Sequence, residues 1–276
     1  MANGKFFILL LLLLALSVTN VSFADSGYSF WPDRSVSEQP DEDTLLIRET
    51  AIHTVLPRKF VSNTMLFPLT IGRGNIEGLR QLNVSCSGQF STEEFVFIKN
   101  YAKNMNLTII DLRPDAHLFM NGFAVGCPES TVAEESRLTK ELLGLKLKLV
   151  PGKWMILSQA RKDFGPVIIS SISTEAKFME KAGQQYFRIN NSDLETQLQD
   201  FAVIARKISD TQWLHIHDND GSRAPIFLAA YDLIKNSTKV SFNDIMSRNE
   251  RLNKIVFDEP TKKILQNFYN QQENHK

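Results

Sequence analysis

A run of polar residues between Trp213 and Arg223 carries the side chains best suited to chemistry in this chain. It reads Trp-Leu-His-Ile-His-Asp-Asn-Asp-Gly-Ser-Arg. Residues 213–217 alternate as a short strand does, with the tryptophan and both histidines on one face. Turn formers fill positions 218–222, and Pro225 suits the first turn of a helix. The pattern therefore predicts a strand, a tight polar loop and a helix, in that order.

This order of elements is suited to binding a phosphate group, and we call residues 218–223 the phosphate loop. Its backbone N–H groups, together with the N-terminus of the following helix, would point at one anion. Arg223 closes the loop and could hold two phosphate oxygens at once. Loops of this composition also occur without a ligand, so spacing alone leaves a solvated loop as the alternative. The predicted phosphate-binding residues of the loop itself are Asn219, Asp220, Gly221 and Ser222.

The same segment resembles the active-site signature of the cysteine-phosphatase-like phytases, bacterial inositol-phosphate hydrolases with a protein-tyrosine-phosphatase fold. That signature is Trp-Leu-His-x-His-Cys, a short loop, Gly-Arg, and a helix containing Tyr-Asp. The residues kept here are Trp213, Leu214, His215, His217, Arg223, Tyr231 and Asp232. Residues 82–91 and 111–122, the latter beginning Asp-Leu-Arg, resemble the family in the same order. The resemblance implies an α/β fold with a mostly parallel central sheet flanked by helices and a small inserted sheet.

In that family a thiolate in the loop attacks phosphorus, and this chain has no cysteine there. Counting back from Arg223 places His217 at the nucleophile position, and counting forward from the paired histidines places Asp218 there. The loop is one residue short, and Ala224 replaces the family's hydroxyl residue. Histidine and aspartate accept phosphate in unrelated enzymes. Asp218 and Asp220 could hold Mg²⁺, but such pairs are more often turn residues, so we expect no metal and no other cofactor.

Three residues outside the loop are further candidates for the site. The resemblance places Arg113 near the substrate pocket; the alternative is an ion pair with an acid such as Asp115. His215 would line the pocket, or be a buried strand residue hydrogen-bonded to the backbone. Asp193 is the nearest match to the family's general acid, which must protonate the leaving oxygen. It stands directly before a helical pattern, where an N-cap is expected.

The first 24 residues have the pattern of a signal peptide. Lys5 supplies the positive end, residues 6–16 the apolar core, and Ser22-Phe23-Ala24 a small-x-small cleavage site. The core is too short to span a membrane. The sequence therefore predicts a protein that is periplasmic or secreted.

The rest of the chain divides into an arm and a domain. Residues 25–59 are polar and poorly periodic, which predicts an extended arm with one possible short helix at residues 44–49. The phosphatase-like domain is predicted to cover residues 60–276. Cys86 and Cys127, the only cysteines, could pair in an oxidising compartment. Neither lies in the phosphate loop, so neither replaces the nucleophile.

Charge and composition restrict the partners. Lysine plus arginine and aspartate plus glutamate both total 31, so no global field attracts nucleic acid or an anionic membrane. The nucleophile, the hydroxyl after the arginine and the usual acid loop are all changed. We therefore predict an exported protein that has lost thiol catalysis and binds an inositol phosphate or a phosphoprotein. The alternatives are a phosphomonoesterase using His217 or Asp218, and an interaction scaffold that binds no phosphate.

Overall fold

The computed structural model describes residues 44–49, 56–66, 75–103, 105–151 and 167–274. The predicted signal peptide lies outside these residues, as does most of the predicted arm. None of the described helices is long and apolar enough to cross a membrane.

The described residues form two sheets and the helices that pack on them. The strands are β1 Thr44–Glu49, β2 Val61–Ser62, β3 Val84–Ser87, β4 Asn106–Asp111, β5 Asp115–Met120, β6 Phe123–Thr131, β7 Lys146–Pro151, β8 Val167–Ile168, β9 Ile172–Thr174, β10 Gln185–Arg188 and β11 Gln212–His217. The α-helices are α1 Thr92–Tyr101, α2 Glu135–Glu141, α3 Glu175–Lys181, α4 Leu194–Ala205, α5 Ala224–Asn236, α6 Phe242–Asn253 and α7 Glu259–Asn274.

The central sheet has the strand order β10-β4-β11-β3-β2, and all its pairings are parallel except that of β2 with β3. Because the carboxyl ends of parallel strands meet at one edge, the segments that follow β3, β4, β10 and β11 lie together there. This edge holds the phosphate loop. The predicted α/β class with a mostly parallel central sheet is confirmed.

The alternation of β11 places its side chains as the sequence predicted. Leu214 and Ile216 belong to the apolar cluster formed with α4 to α7. Trp213 belongs to a second cluster on the opposite face, built with Phe95 of α1 and Met179 of α3. The sheet is thus buried on both faces, as a parallel sheet requires.

The second sheet has the order β8-β7-β1-β6-β5-β9, and its pairings are antiparallel except that of β1 with β7. This is the second sheet that the sequence predicted beside the central one, and it has six strands among the described residues. The prediction of a short helix at residues 44–49 is wrong, since this segment is β1. A short apolar run is compatible with a helix and with a strand, and periodicity cannot distinguish the two over so few residues. The strands that pair with β1 lie far away in sequence.

Pro225 lies in the first turn of α5, as the sequence predicted. At α1 the side chains of Ser91 and Glu94 form a capping box, which satisfies backbone N–H groups at the start of the helix. Cys86 and Cys127 lie buried in different sheets and form no disulfide with each other.

Candidate functional site

The phosphate loop is a tight turn fixed by backbone contacts. β11 ends at His217, and α5 begins at Ala224. Gly221 has a φ of +74°, and a Cβ added there would lie 2.9 Å from the backbone nitrogen of Gly88. Glycine is therefore required at position 221 both for its conformation and for the close approach of the segment after β3.

The carboxylate of Asp218 occupies the centre of this loop. Its Oδ1 accepts hydrogen bonds from the backbone N–H groups of Asp220, at 2.8 Å, and of Gly221. Its Oδ2 accepts from the backbone N–H groups of Arg223, at 2.5 Å, and of Ala224, at 2.8 Å. Four backbone donors thus converge on one buried side chain that is 3% exposed. The loop binds an anion, and that anion is its own aspartate.

Ser222 and Asn219, two more of the predicted phosphate-binding residues, also donate to carboxylates. The backbone N–H of Ser222 donates to Asp220 Oδ1 at 3.1 Å, and its hydroxyl donates to the same oxygen at 2.5 Å. The side-chain amide of Asn219 donates to Oδ1 of Asp115, outside the loop, at 3.4 Å. The sequence did not foresee that Asp220 and Asp115 would accept from these groups.

The environment of Asp218 acts on its pKa in two directions. Burial is the largest effect and raises the pKa above its ordinary value, and the nearby charge of Asp220 raises it further. The N–H donors of Ala224, Gly221 and Arg223 oppose this, because they stabilise the ionised form. The net effect is that the pKa of the Asp218 carboxyl lies above its ordinary value.

Arg223 stands at the junction of loop and helix, where it is the N-cap residue of α5. Its Nη2 donates to Oε1 of Gln197 at 2.6 Å, and Gln197 is held in turn by a bond to the carbonyl of Ile189 at 3.0 Å. The guanidinium is therefore directed toward α4. It remains half-buried, with part of its surface open to solvent.

Arg113 lies in a buried ion-pair cluster beneath the loop. Its Nε donates to Asp111 Oδ1 at 3.0 Å and its Nη2 to Glu175 Oε2 at 2.9 Å. All three side chains are at most 1% exposed. The ion-pair interpretation of Arg113 is therefore the one that fits, although the partners are these two acids rather than Asp115.

Both histidines of β11 are buried. His217 Nε2 lies 2.9 Å from Glu175 Oε1, and its ring packs edge-on against Phe90. His215 lies between two serines, with Nδ1 at 2.9 Å from Ser85 Oγ and Nε2 at 3.1 Å from Ser87 Oγ. His215 is thus a buried strand residue, hydrogen-bonded to hydroxyls rather than to the backbone as the sequence suggested.

Two more residues complete the cluster around Asp111 and Glu175. His117 Nε2 lies 3.0 Å from Asp111 Oδ2 and 3.1 Å from Glu175 Oε2. Arg188 Nη2 and the backbone carbonyl of Asp115 both lie 3.0 Å from His117 Nδ1. Burial, followed by the charge of Arg113, lowers the pKa of His117 to about 3.

The cluster also has the side chains of a metal site. Asp111, Glu175 and His217 offer ligand atoms within 4.8 Å of one another. Arg113 bonds to both carboxylates, however, and Arg188 Nε lies 3.6 Å from Asp111 Oδ2. Two guanidiniums already balance the two negative charges, and an added dication would face both of them. We therefore assign the group as a buried ion-pair cluster.

Asp193 caps α4. Its Oδ2 accepts from the backbone N–H and the hydroxyl of Thr196, both at 2.7 Å. These two bonds lower its pKa, the hydroxyl bond having the larger effect. A general acid needs the opposite shift, because it must carry a proton at working pH.

Sequence reasoning missed four residues that shape the site: Asp111, Glu175, Arg188 and Gln197. Glu175 and Gln197 lie in the first turns of helices, where polar residues are ordinary. Arg188 is the last residue of the short strand β10, and this position at the carboxyl end of a strand was the one indication that it could belong to the site. Asp111 bonds to Arg113 only two residues on, but Glu175, Arg188 and Gln197 contact charged partners far away in sequence, so only the fold reveals those contacts.

Acid is expected to destabilise the fold through His117. Below its ordinary pKa of 6.5 the unfolded chain binds a proton that the folded chain does not bind until about pH 3. The free energy of unfolding therefore falls across this window, by about 3 kcal/mol at about pH 4.5. Urea unfolding at neutral and acid pH measures the loss. The variant His117→Gln should lose less on acidification, whereas a loss equal to that of the wild type would exclude His117 as the cause.

The fold and the loop together define the class: this is an α/β protein with the protein-tyrosine-phosphatase-like phytase fold. A PTP-like myo-inositol phosphatase from Mitsuokella multacida, solved with myo-inositol-(1,3,4,5)-tetrakisphosphate, matches with a TM-score of 0.68 and 24% identity over 86% of this chain and 48% of that chain. A tandemly repeated protein tyrosine phosphatase like phytase from the same organism matches with 0.67 and 25%, over 86% and 48%.

A third neighbour, a PTP-like phytase from Bdellovibrio bacteriovorus, has a TM-score of 0.63 and 22% identity, covering 86% of this chain and 92% of that one. The chain spans about half the length of the Mitsuokella proteins. No family model matches it, and no curated protein does. The resemblance inferred from the sequence is thus confirmed at the level of the fold.

Proposed function

We propose that this is an exported, noncatalytic protein of the PTP-like phytase fold that acts by binding. The observation that carries the proposal is the Asp218 carboxylate, which stands at one of the two positions expected for the nucleophile and accepts hydrogen bonds from four backbone N–H groups of the phosphate loop. A thiolate in such a loop attacks a phosphate held by those amides. Here no thiolate is present, and the amides are engaged.

The candidate replacement nucleophiles are poorly placed for attack. His217 is fully buried, with Nε2 facing Glu175. Both carboxylate oxygens of Asp218 accept hydrogen bonds, so attack would require breaking bonds of the charge-assisted kind. The capping role of Asp193 also leaves the general acid unassigned. These contacts favour loss of phosphoryl transfer over a non-cysteine phosphomonoesterase.

The ligand that we propose is a phosphorylated one, an inositol phosphate or a phosphoprotein. Support comes from the loop itself, whose donors converge on one anion, and from the neighbour solved with an inositol tetrakisphosphate. The occupied loop sets a condition, since a phosphate must compete with Asp218 for the same N–H groups. If it cannot, the protein is an interaction scaffold that binds no phosphate.

The test is phosphate release from myo-inositol hexakisphosphate and para-nitrophenyl phosphate, with and without Mg²⁺. We expect no release above the buffer blank from a sample shown to be folded by circular dichroism. Turnover by the wild type that disappears in Arg223→Ala would contradict the proposal, because the arginine variant excludes a contaminating phosphatase.

A further inference from the structure

We infer that Asp218 is a built-in anion of the phosphate loop: it keeps inorganic phosphate out while its carboxylate is present, so that a phosphorylated ligand must displace this side chain to bind. The inference rests on the proposed function, because it concerns the same site and names what controls its occupancy. It differs from loss of catalysis, which would leave the loop free to bind.

The donors that Asp218 uses are those that an external oxyanion needs. Backbone N–H groups at the start of a helix bind carboxylate and phosphate by the same geometry. The N–H groups of Arg223 and Ala224 at the start of α5 converge on one oxygen of Asp218, at 2.5 and 2.8 Å. Those of Asp220 and Gly221 converge on the other. An incoming phosphate therefore has no free donor in this set while the carboxylate remains.

Charge also favours the internal anion over an external one. Asp218 and Asp220 place two carboxylates in the loop. Of the cations near them, Lys59 is exposed and 3.9 Å from Asp220, Arg58 donates to the carbonyl of Asp220, and Arg223 donates to Gln197. A phosphate dianion entering beside both acids would meet Coulomb repulsion. Arg113 cannot offset this, because its guanidinium is buried and bonded to Asp111 and Glu175. Removing the Asp218 carboxylate lowers the repulsion and frees four donors in one step.

The loop has contacts that hold its shape without the Asp218 side chain. The backbone N–H of Gln89 donates to the carbonyl of Asn219 at 3.4 Å, and Arg58 Nη2 donates to the carbonyl of Asp220 at 3.2 Å. Gly221 keeps its positive φ against the backbone of Gly88. We therefore expect removal of the carboxylate to leave a cavity lined with N–H groups rather than a collapsed turn.

The experiment compares wild type and Asp218→Ala in thermal unfolding, with inorganic phosphate raised to tens of millimolar at constant ionic strength. The wild-type Tm is expected to move by less than about 1 °C, since no site is free. Asp218→Ala is expected to unfold at a lower temperature in chloride, and to gain about 5 °C in phosphate along a saturating curve. Calorimetric titration of the folded variant should then give millimolar or tighter binding, absent in the wild type.

A matched control is Asp193→Ala, which removes the aspartate that caps α4 and leaves the phosphate loop intact. This variant should also be destabilised, but phosphate should not restore it beyond the small wild-type response. An equal restoration of both variants would overturn the inference, because it would show a general salt effect.

A folded Asp218→Ala that does not respond to phosphate would also overturn the inference, while leaving the absence of turnover untouched. If Asp218→Ala does not fold even in phosphate, Asp218→Asn decides the matter. Its amide keeps one acceptor oxygen and loses the charge, so phosphate should raise its Tm more than that of the wild type. Identical responses would contradict a built-in anion.

Discussion

Replacing Arg113 with methionine is expected to lower the free energy of unfolding by about 3–5 kcal/mol, the cost of breaking a buried ion pair from one side. The change leaves Asp111 and Glu175 facing each other without their shared donor, and both are almost fully buried. Guanidinium chloride unfolding at neutral pH measures the effect. The result matters for function, because the family resemblance alone would make Arg113 a phosphate contact.

Arg137→Met is the matched control. Arg137 also bridges two acids, Glu134 and Glu141, but its side chain is 54% exposed, so its loss should change the free energy of unfolding far less than the loss of Arg113. If Arg113→Met were as stable as Arg137→Met, Arg113 would not be the structural residue that its contacts indicate.

Replacing Asp232 with alanine is expected to cost a similar 3–5 kcal/mol or so. Arg248 of α6 is fully buried, and its Nε donates to Asp232 Oδ2 at 2.7 Å while its Nη2 donates to Oδ1. Asn236 and Asn249 donate to the same carboxylate at 2.8 Å each. The variant leaves a buried guanidinium without its counter-charge, and chemical unfolding should show the loss.

Asp210→Ala serves as the control for this second variant. Asp210 is 83% exposed, and its ion pair with Lys235 is 3.5 Å long, so its removal should change stability by a few tenths of a kcal/mol. Equal stability of the two variants would contradict the account. The expected difference would show that Asp232, the aspartate of the Tyr-Asp pair, anchors α5 to α6.

Much of the fold could be predicted from local signals. The alternation of β11 and the proline at the start of α5 are encoded within a few residues, and both predictions were confirmed. β1 could not be predicted in this way. Its partners β6 and β7 lie about 75 to 100 residues further along the chain, and its short apolar run, Leu-Leu-Ile, suits a helix or a strand equally.

The candidate site was harder to predict, because its chemistry depends on which groups each side chain contacts in the folded chain. The sequence offered His217 and Asp218 as the two candidates for the position of the missing nucleophile. Aspartate in turns commonly bonds to backbone N–H groups two residues on, so its contact with Asp220 had a precedent. Its reach to Arg223 and Ala224 depends on the loop closing back on itself. Likewise, the contact of Arg113 with Glu175 joins residues that are 62 positions apart.

The central claim is that the phosphate loop is already occupied by its own carboxylate. Titrating isotope-labelled wild-type protein with inorganic phosphate, while following the backbone amide resonances of Gly221 and Ala224, tests this directly. We expect both resonances to stay in place up to tens of millimolar phosphate in the wild type and to shift saturably in Asp218→Ala. A saturable shift in the wild type, matching that of the variant, would show that the loop is free to bind phosphate and would contradict the account.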